Sequence, residues 1–168
     1  STGDVTSAGH GYELIEADMT WEEACLACEL REGYLTAITS WEELEQIKEQ
    51  IVIEGKTDIS FWVRAHYDGE LGAKGLTLGF HWIEQGVKPA DAYSMLDLFN
   101  ALWGFWIGNE PSYDGLTEDG REVDEDYVML IYRQQDDRCY IMDMPGDILS
   151  AYPSYTGKIG YICEYDYE

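Results

Sequence analysis

The chain has 168 residues, 34 of them acidic against 10 basic, for a formal net charge of −24; 45% are hydrophobic and 14% aromatic. That apolar share rules out a disordered chain, and the length suits one domain burying about two-thirds of its unfolded surface. The charge argues against nucleic acid and anionic membranes as partners, because both need a basic patch, and leaves cations, a basic partner or plain solubility.

In chain order, residues 1–10 are polar and read as a terminal tail, the cut or processed end of a domain from a larger protein, with the domain itself at 11–168. Residues 11–16 alternate like a strand. Thr20 and Glu23 have capping-box spacing for a helix over about 20–32, whose one face carries Trp21, Ala24, Cys25 and Cys28, and Gly33 is placed to end it. After a strand at 34–38, Ser40 and Glu43 repeat the capping box for a second helix to about 53, ended by Gly55. Strand-like runs recur at 60–66, 80–83, 127–132, 138–143 and 159–165. Early helices followed by mostly strands predict an α+β fold. Residues 67–126 have weak periodicity and many glycines and read as a long loop region, with 92–103 as an inserted short helix. No apolar run approaches the ~20 residues that cross a bilayer, so membrane insertion is not expected.

Chemistry-bearing patterns are few. The chain holds no Gly-x-Ser-x-Gly, no His-Glu-x-x-His and no glycine-rich phosphate loop, so no enzyme is expected. His10 falls in the tail, while His66 and His81 sit at strand edges as surface or core residues. Residues 118–126 hold six acids in nine positions, but they lack the ligand spacing of an EF-hand and read as a solvated loop. Four cysteines among many tyrosines and tryptophans suggest an oxidising, extracytoplasmic setting. Cys25-Leu-Ala-Cys28 has the Cys-x-x-Cys spacing of zinc or redox motifs, without the further ligands or thioredoxin-like surroundings those require.

Several runs together resemble a C-type lectin-like domain. They are Trp21 with Ala24, Cys28, Gly33, Leu35 and Ile38; Ser40-Trp-Glu-Glu43; Phe61-Trp-Val63; Trp106-Ile-Gly-Asn-Glu-Pro-Ser112; Glu125-Asp-Tyr-Val128; Met142-Asp-Met-Pro145; and Gly160-Tyr-Ile-Cys-Glu164. The resemblance covers residues 11–165 in order. It implies a Cys28–Cys163 disulfide, which on the chain-entropy account stabilises by roughly 4–5 kcal/mol. Tyr127 and Gly146 stand where the family's second disulfide would be, which makes this a bacterial-type domain lacking that bridge. Cys25 and Cys139 are then left over, either as another bridge or as buried thiols.

The resemblance also implies a calcium set, in which Glu110, Glu125 and Asp143 match. Ser112 and Met142 replace the two asparagines, a poorer ligand and a useless one, so calcium is expected to bind weakly or not at all. Trp21, Trp62, Trp82 and Trp106 match core positions, and Trp41 is less constrained. The expected ligand face, on the long-loop surface, is Tyr93, Trp103, Glu110, Ser112 and Tyr113. The function so implied is that of a secreted or cell-surface adhesion module that recognises a glycan or protein. The alternative is a spacer domain of a larger secreted or surface protein, with no ligand of its own.

Overall fold

Alternation along the strands sends successive side chains to opposite faces of one sheet, and each face is covered by its own helix. The computed structural model describes residues 6–7, 10–38, 40–67, 80–82, 106–108, 110, 112 and 114–166. In chain order these form β1 (Thr6–Ser7), β2 (His10–Glu16), α1 (Trp21–Leu30), β3 (Tyr34–Leu35), α2 (Trp41–Ile53), β4 (Ser60–Tyr67) and β5 (Phe80–Trp82). Then follow β6 (Asp114–Leu116), β7 (Glu122–Asp124), β8 (Tyr127–Arg133), β9 (Arg138–Met144), α3 (Ile148–Ala151), a 3₁₀ turn at Pro153–Tyr155 and β10 (Ile159–Asp166). The architecture is α+β, as expected, but the stretch read as a tail supplies β1 and the first residue of β2. The inserted helix at 92–103 lies outside the described residues.

The main sheet runs β1-β2-β10-β4-β8-β9, with β3 also on β10 and β5 also on β4, while β6 and β7 form a separate ribbon. Among the described residues, the strand pairs are antiparallel except β10 with β4. On one face, Leu44, Ile47 and Ile51 of α2 pack with Tyr12, Leu14, Phe61, Val63, Val128, Leu130, Ile141 and Ile162. On the other, Ala24 and Cys28 of α1 pack with Leu35, Trp62, Met129, Met142, Tyr161 and Cys163. Residues 61, 62 and 63 thus go to alternate cores, as do 161, 162 and 163. Phe61, Trp62, Ile47 and Ile51 are fully buried, each stabilising by ~1.5–3 kcal/mol.

The helix signals hold with two corrections. Thr20 and Glu23 form the complete capping box on α1. On α2, Ser40 Oγ accepts the Glu43 N–H, but the Glu43 carboxylate takes the Tyr12 hydroxyl at 2.8 Å. At the end of α1, Gly33 N–H reaches the Cys28 carbonyl and Glu32 N–H the Glu29 carbonyl, a Schellman motif. Its left-handed residue is Glu32, with φ 64°, not Gly33. Gly33 is required for another reason: a Cβ there would lie 2.7 Å from the Glu164 carbonyl of β10.

The disulfide joins Cys28 of α1 to Cys163 of β10 across 135 residues, with Cα atoms 5.4 Å apart. Cys25 and Cys139 are free thiols, which settles the alternative left open by sequence. Tyr127 and Gly146, the positions expected to lack a second bridge, meet. A Cβ on Gly146 would sit 2.8 Å from the Tyr127 ring, which also lies 4.8 Å from the Trp21 ring between centroids. An aromatic ring packed on bare backbone holds this junction where a disulfide would have.

Candidate functional site

The site forms where residues 106–112, within the long loop region, return to the sheet. Ile107 N–H bonds to the Ile141 carbonyl of β9, and Trp106 bridges the same residue, so the incoming segment is pinned to the sheet. Gly108, with φ 53°, turns the chain, and Glu110 N–H closes onto the Ile107 carbonyl at 3.0 Å. This puts Glu110 and Ser112 beside Asp143, which lies in β9 opposite Val128, and beside Glu125, in the short link between β7 and β8.

One carboxylate oxygen from each of Glu110, Glu125 and Asp143 lies within 4.8 Å of the others. Ser112 stands among them. Its N–H donates to Asp143 Oδ1 at 3.0 Å and Glu110 Oε2 at 3.2 Å. Its hydroxyl is 2.8 Å from Glu125 Oε1, 3.0 Å from Glu110 Oε2 and 3.5 Å from Asp143 Oδ1. A hydroxyl has one proton to give, so three carboxylates compete for it. Glu125 is 6% exposed and Asp143 1%. Burial pushes the Glu125 carboxyl up to about 7, with the Asp143 and Asp114 charges adding to the rise and the Ser112 hydrogen bond opposing it. A carboxyl that burial holds near neutrality, beside further negative charge, is a place that a proton or a cation would relieve.

The donor set suits a hard cation: three carboxylates and a hydroxyl, all oxygens. It falls short of the six to eight oxygens calcium prefers, and Met142 adds nothing. Because its neighbour Asp143 faces the site, Met142 points to the opposite core and is 7% exposed. A cation here would be completed by water or ligand oxygens.

Two residues that the sequence did not single out join the site from the far end of the chain. Tyr152, just after α3, hydrogen-bonds Glu125, and Tyr155 stands with its ring 6.3 Å from that of Tyr152. Their hydroxyls are pushed up by burial and by the Glu125 charge. Gly115 of β6 allows this packing, since a Cβ there would be 2.5 Å from the Tyr152 hydroxyl and 2.7 Å from Glu125 Oε1. Only a chain return of 27 residues in the fold brings Tyr152 to Glu125, and local spacing carries no trace of it.

The acidic run at 118–126 is not a plain solvated loop. It forms the turn of the β6–β7 ribbon and all of β7, and it includes buried Glu125. Glu118 anchors it, with its N–H to the Ala151 carbonyl and its carboxylate taking the Ser154 N–H. The sequence-expected set Glu110, Ser112, Glu125 and Asp143 is thus brought together; Tyr93, Trp103 and Tyr113 lie outside the described residues. Trp62 and Trp106 are buried as expected and Trp21 is half-buried, whereas Trp41 is 45% exposed on α2.

No family model and no curated protein sequence matches the chain. Solved structures do. The chain is similar to human lithostathine at 18% identity, covering 99% of this chain and 90% of that one, with a TM-score of 0.61. It is similar to the cow C-type carbohydrate-recognition domain of CD23 in the presence of a GlcNAc2Man3 oligosaccharide, at 19% identity, 100% and 96% coverage and TM-score 0.57. The mouse scavenger receptor C-type lectin carbohydrate-recognition domain matches at 19%, with 100% and 98% coverage and TM-score 0.59. These likenesses show the fold: the chain adopts the C-type lectin-like fold. Among the described residues, no helix is long and apolar enough to cross a membrane.

Proposed function

We propose that this C-type lectin-like domain is a secreted or cell-surface adhesion module that binds a glycan on the face containing Glu110, Ser112, Glu125 and Asp143. The observation that carries this reading is the convergence of three carboxylates on Ser112 at the edge of the long loop region. Support comes from the named carbohydrate-recognition domains that share the fold. The work asked of the site is binding, not catalysis. Glu110, Glu125, Asp143 and the Ser112 hydroxyl would hold a calcium ion weakly, and a bound ion would supply positive charge to ligand hydroxyl oxygens. Tyr93, Trp103 and Tyr113 are assigned to the same face as aromatic surfaces for sugar rings.

A glycan array with and without chelator, on the wild type and a Trp103→Ala, Tyr113→Ala double variant, tests this. Binding to a defined glycan class, lost in the double variant and only modestly raised by calcium, is the expected result. A spacer domain would bind nothing. Binding that survives the double variant, or that maps to helices α1 and α2, would overturn the placement.

A further inference from the structure

A second cluster of ligand-type side chains lies at the join of the first and last long strands. Pairing of β2 with β10 sets His10 opposite Asp166 and Tyr12 opposite Glu164, while β3 sets Tyr34 opposite Glu164. Since residues two apart share a face, His10, Glu164 and Asp166 come together by register alone. His10 Nδ1 is 2.7 Å from Glu164 Oε2 and 2.9 Å from Asp166 Oδ1. The Tyr34 hydroxyl donates toward the same two oxygens at 2.6 and 2.8 Å and is 3.4 Å from His10 Nδ1. Four potential ligand atoms from three strands therefore face one point.

The surroundings orient this set as a metal site is oriented. Glu164 is 3% exposed, and its other oxygen, Oε1, accepts the Thr36 hydroxyl at 2.7 Å, which leaves Oε2 turned to the cluster. Glu43, on the first turn of α2, adds a further negative charge near Glu164. The opposite side is open: the His10 and Asp166 side chains are 33% and 68% exposed, so an ion could enter and water could complete its coordination. The His10 and Tyr34 ligand atoms now stand 2.6–3.4 Å from each other and from the two carboxylate oxygens, and the His10, Glu164 and Asp166 atoms all lie within 4.8 Å of one another. A tetrahedral ion at ~2.0–2.1 Å from each would spread them to about 3.3–3.5 Å, a movement of roughly half an ångström.

We propose that His10, Glu164 and Asp166, with Tyr34 or water as fourth ligand, bind a divalent first-row transition cation of the zinc class. An imidazole nitrogen with two carboxylates suits such an ion, whereas calcium and magnesium take oxygen ligands. Binding uses the Nδ1 lone pair, so the ring that binds is the neutral one with its proton on Nε2, and any proton held on Nδ1 leaves to solvent. The ion clamps β2 to β10. This site is separate from the carboxylates around Ser112 and does not depend on the function proposed for them.

The test is zinc chloride titrated calorimetrically into the chelator-stripped full chain, with Co2+ visible absorption as a report of tetrahedral geometry. One zinc per chain should bind, calcium in large excess should not displace it, and the melting temperature should rise. His10→Ala and Asp166→Asn should each weaken binding roughly tenfold or more. His10→Gln, which keeps the bulk, guards against a folding defect, and circular dichroism confirms that each variant is folded. Glu125→Gln should leave zinc binding unchanged. Absence of binding to folded wild type overturns the assignment. So does binding indifferent to both His10 and Asp166, or binding lost in Cys25→Ser or Glu125→Gln.

Discussion

Glu125 and Ser112 compress the chemistry of the main site into two residues. The Glu125 carboxyl is raised to about 7 by burial, against ~4.3 in an unfolded chain. A group whose folded value lies above its unfolded one stabilises the fold fully below the unfolded value, and that contribution is lost as pH rises through the folded value. The wild type should therefore lose of order 1–3 kcal/mol of stability between about pH 4 and pH 8 on this account. Glu125→Gln, which stays neutral and can still accept from Ser112, should flatten that part of the profile. Calcium requires the ionised form, so any stabilisation it gives should be larger at pH 8 than at pH 5. Denaturant midpoints across that pH range, for both proteins with and without calcium, measure this. A variant profile as steep as the wild type would show that Glu125 is not the titrating group.

At the scale of elements, the junction between β8 and the segment before α3 shows how one covalent device is replaced by packing. Tyr127 fills the space over Gly146 and meets Trp21 at a tilt with centroids 4.8 Å apart, while His66 meets Trp21 edge-on at 5.6 Å. Gly146→Ala should cost ~1–3 kcal/mol, because a rigid ring at 2.8 Å cannot yield without disturbing Trp21. In a Tyr127→Ala background the same change should cost much less, giving a coupling energy of about 1 kcal/mol or more. Additive effects in this double-mutant cycle would mean that the ring and the glycine are not in the contact described. The Glu110–Ser112 segment reaches its site through backbone bonding of residue 107 to β9 together with burial of the Trp106 side chain in the core.

Across the whole molecule, the Cys28–Cys163 bond joins the first helix to the last strand, and both cysteines are fully buried. Closing a loop this long stabilises by ~4–5 kcal/mol on the chain-entropy account. Replacing both cysteines by alanine should lower the melting temperature by roughly 10–20 °C, given ~2–4 °C per kcal/mol at this size. A fall of only a degree or two would show that packing alone holds the ends. The remaining thiols are poor rivals for exchange, because burial pushes both Cys25 and Cys139 up to about 12, where little thiolate exists at neutral pH. The strongly negative chain has its acids both exposed and, at Glu125, Asp143 and Glu164, buried in clusters that cations would relieve.

The amino-acid sequence by itself determined helices α1 and α2 and the main strands, and the resemblance it carries implied the Cys28–Cys163 pairing that the structure shows. The helices and strands rest on local chemistry, capping at Thr20 and Ser40 and period-two alternation, whereas the pairing rests on a resemblance carried by short runs around Cys28 and Cys163. The tertiary structure decided what depends on contact between distant segments. It gave Gly33 its role through the approach of β10 and sent Glu43 to Tyr12. It also carried Tyr152 to Glu125 and moved His10 from an apparent tail into a strand facing Asp166. Register across β2 and β10 is the physical reason for that last change, because a strand's partner is chosen by burial of a whole face and not by any one residue.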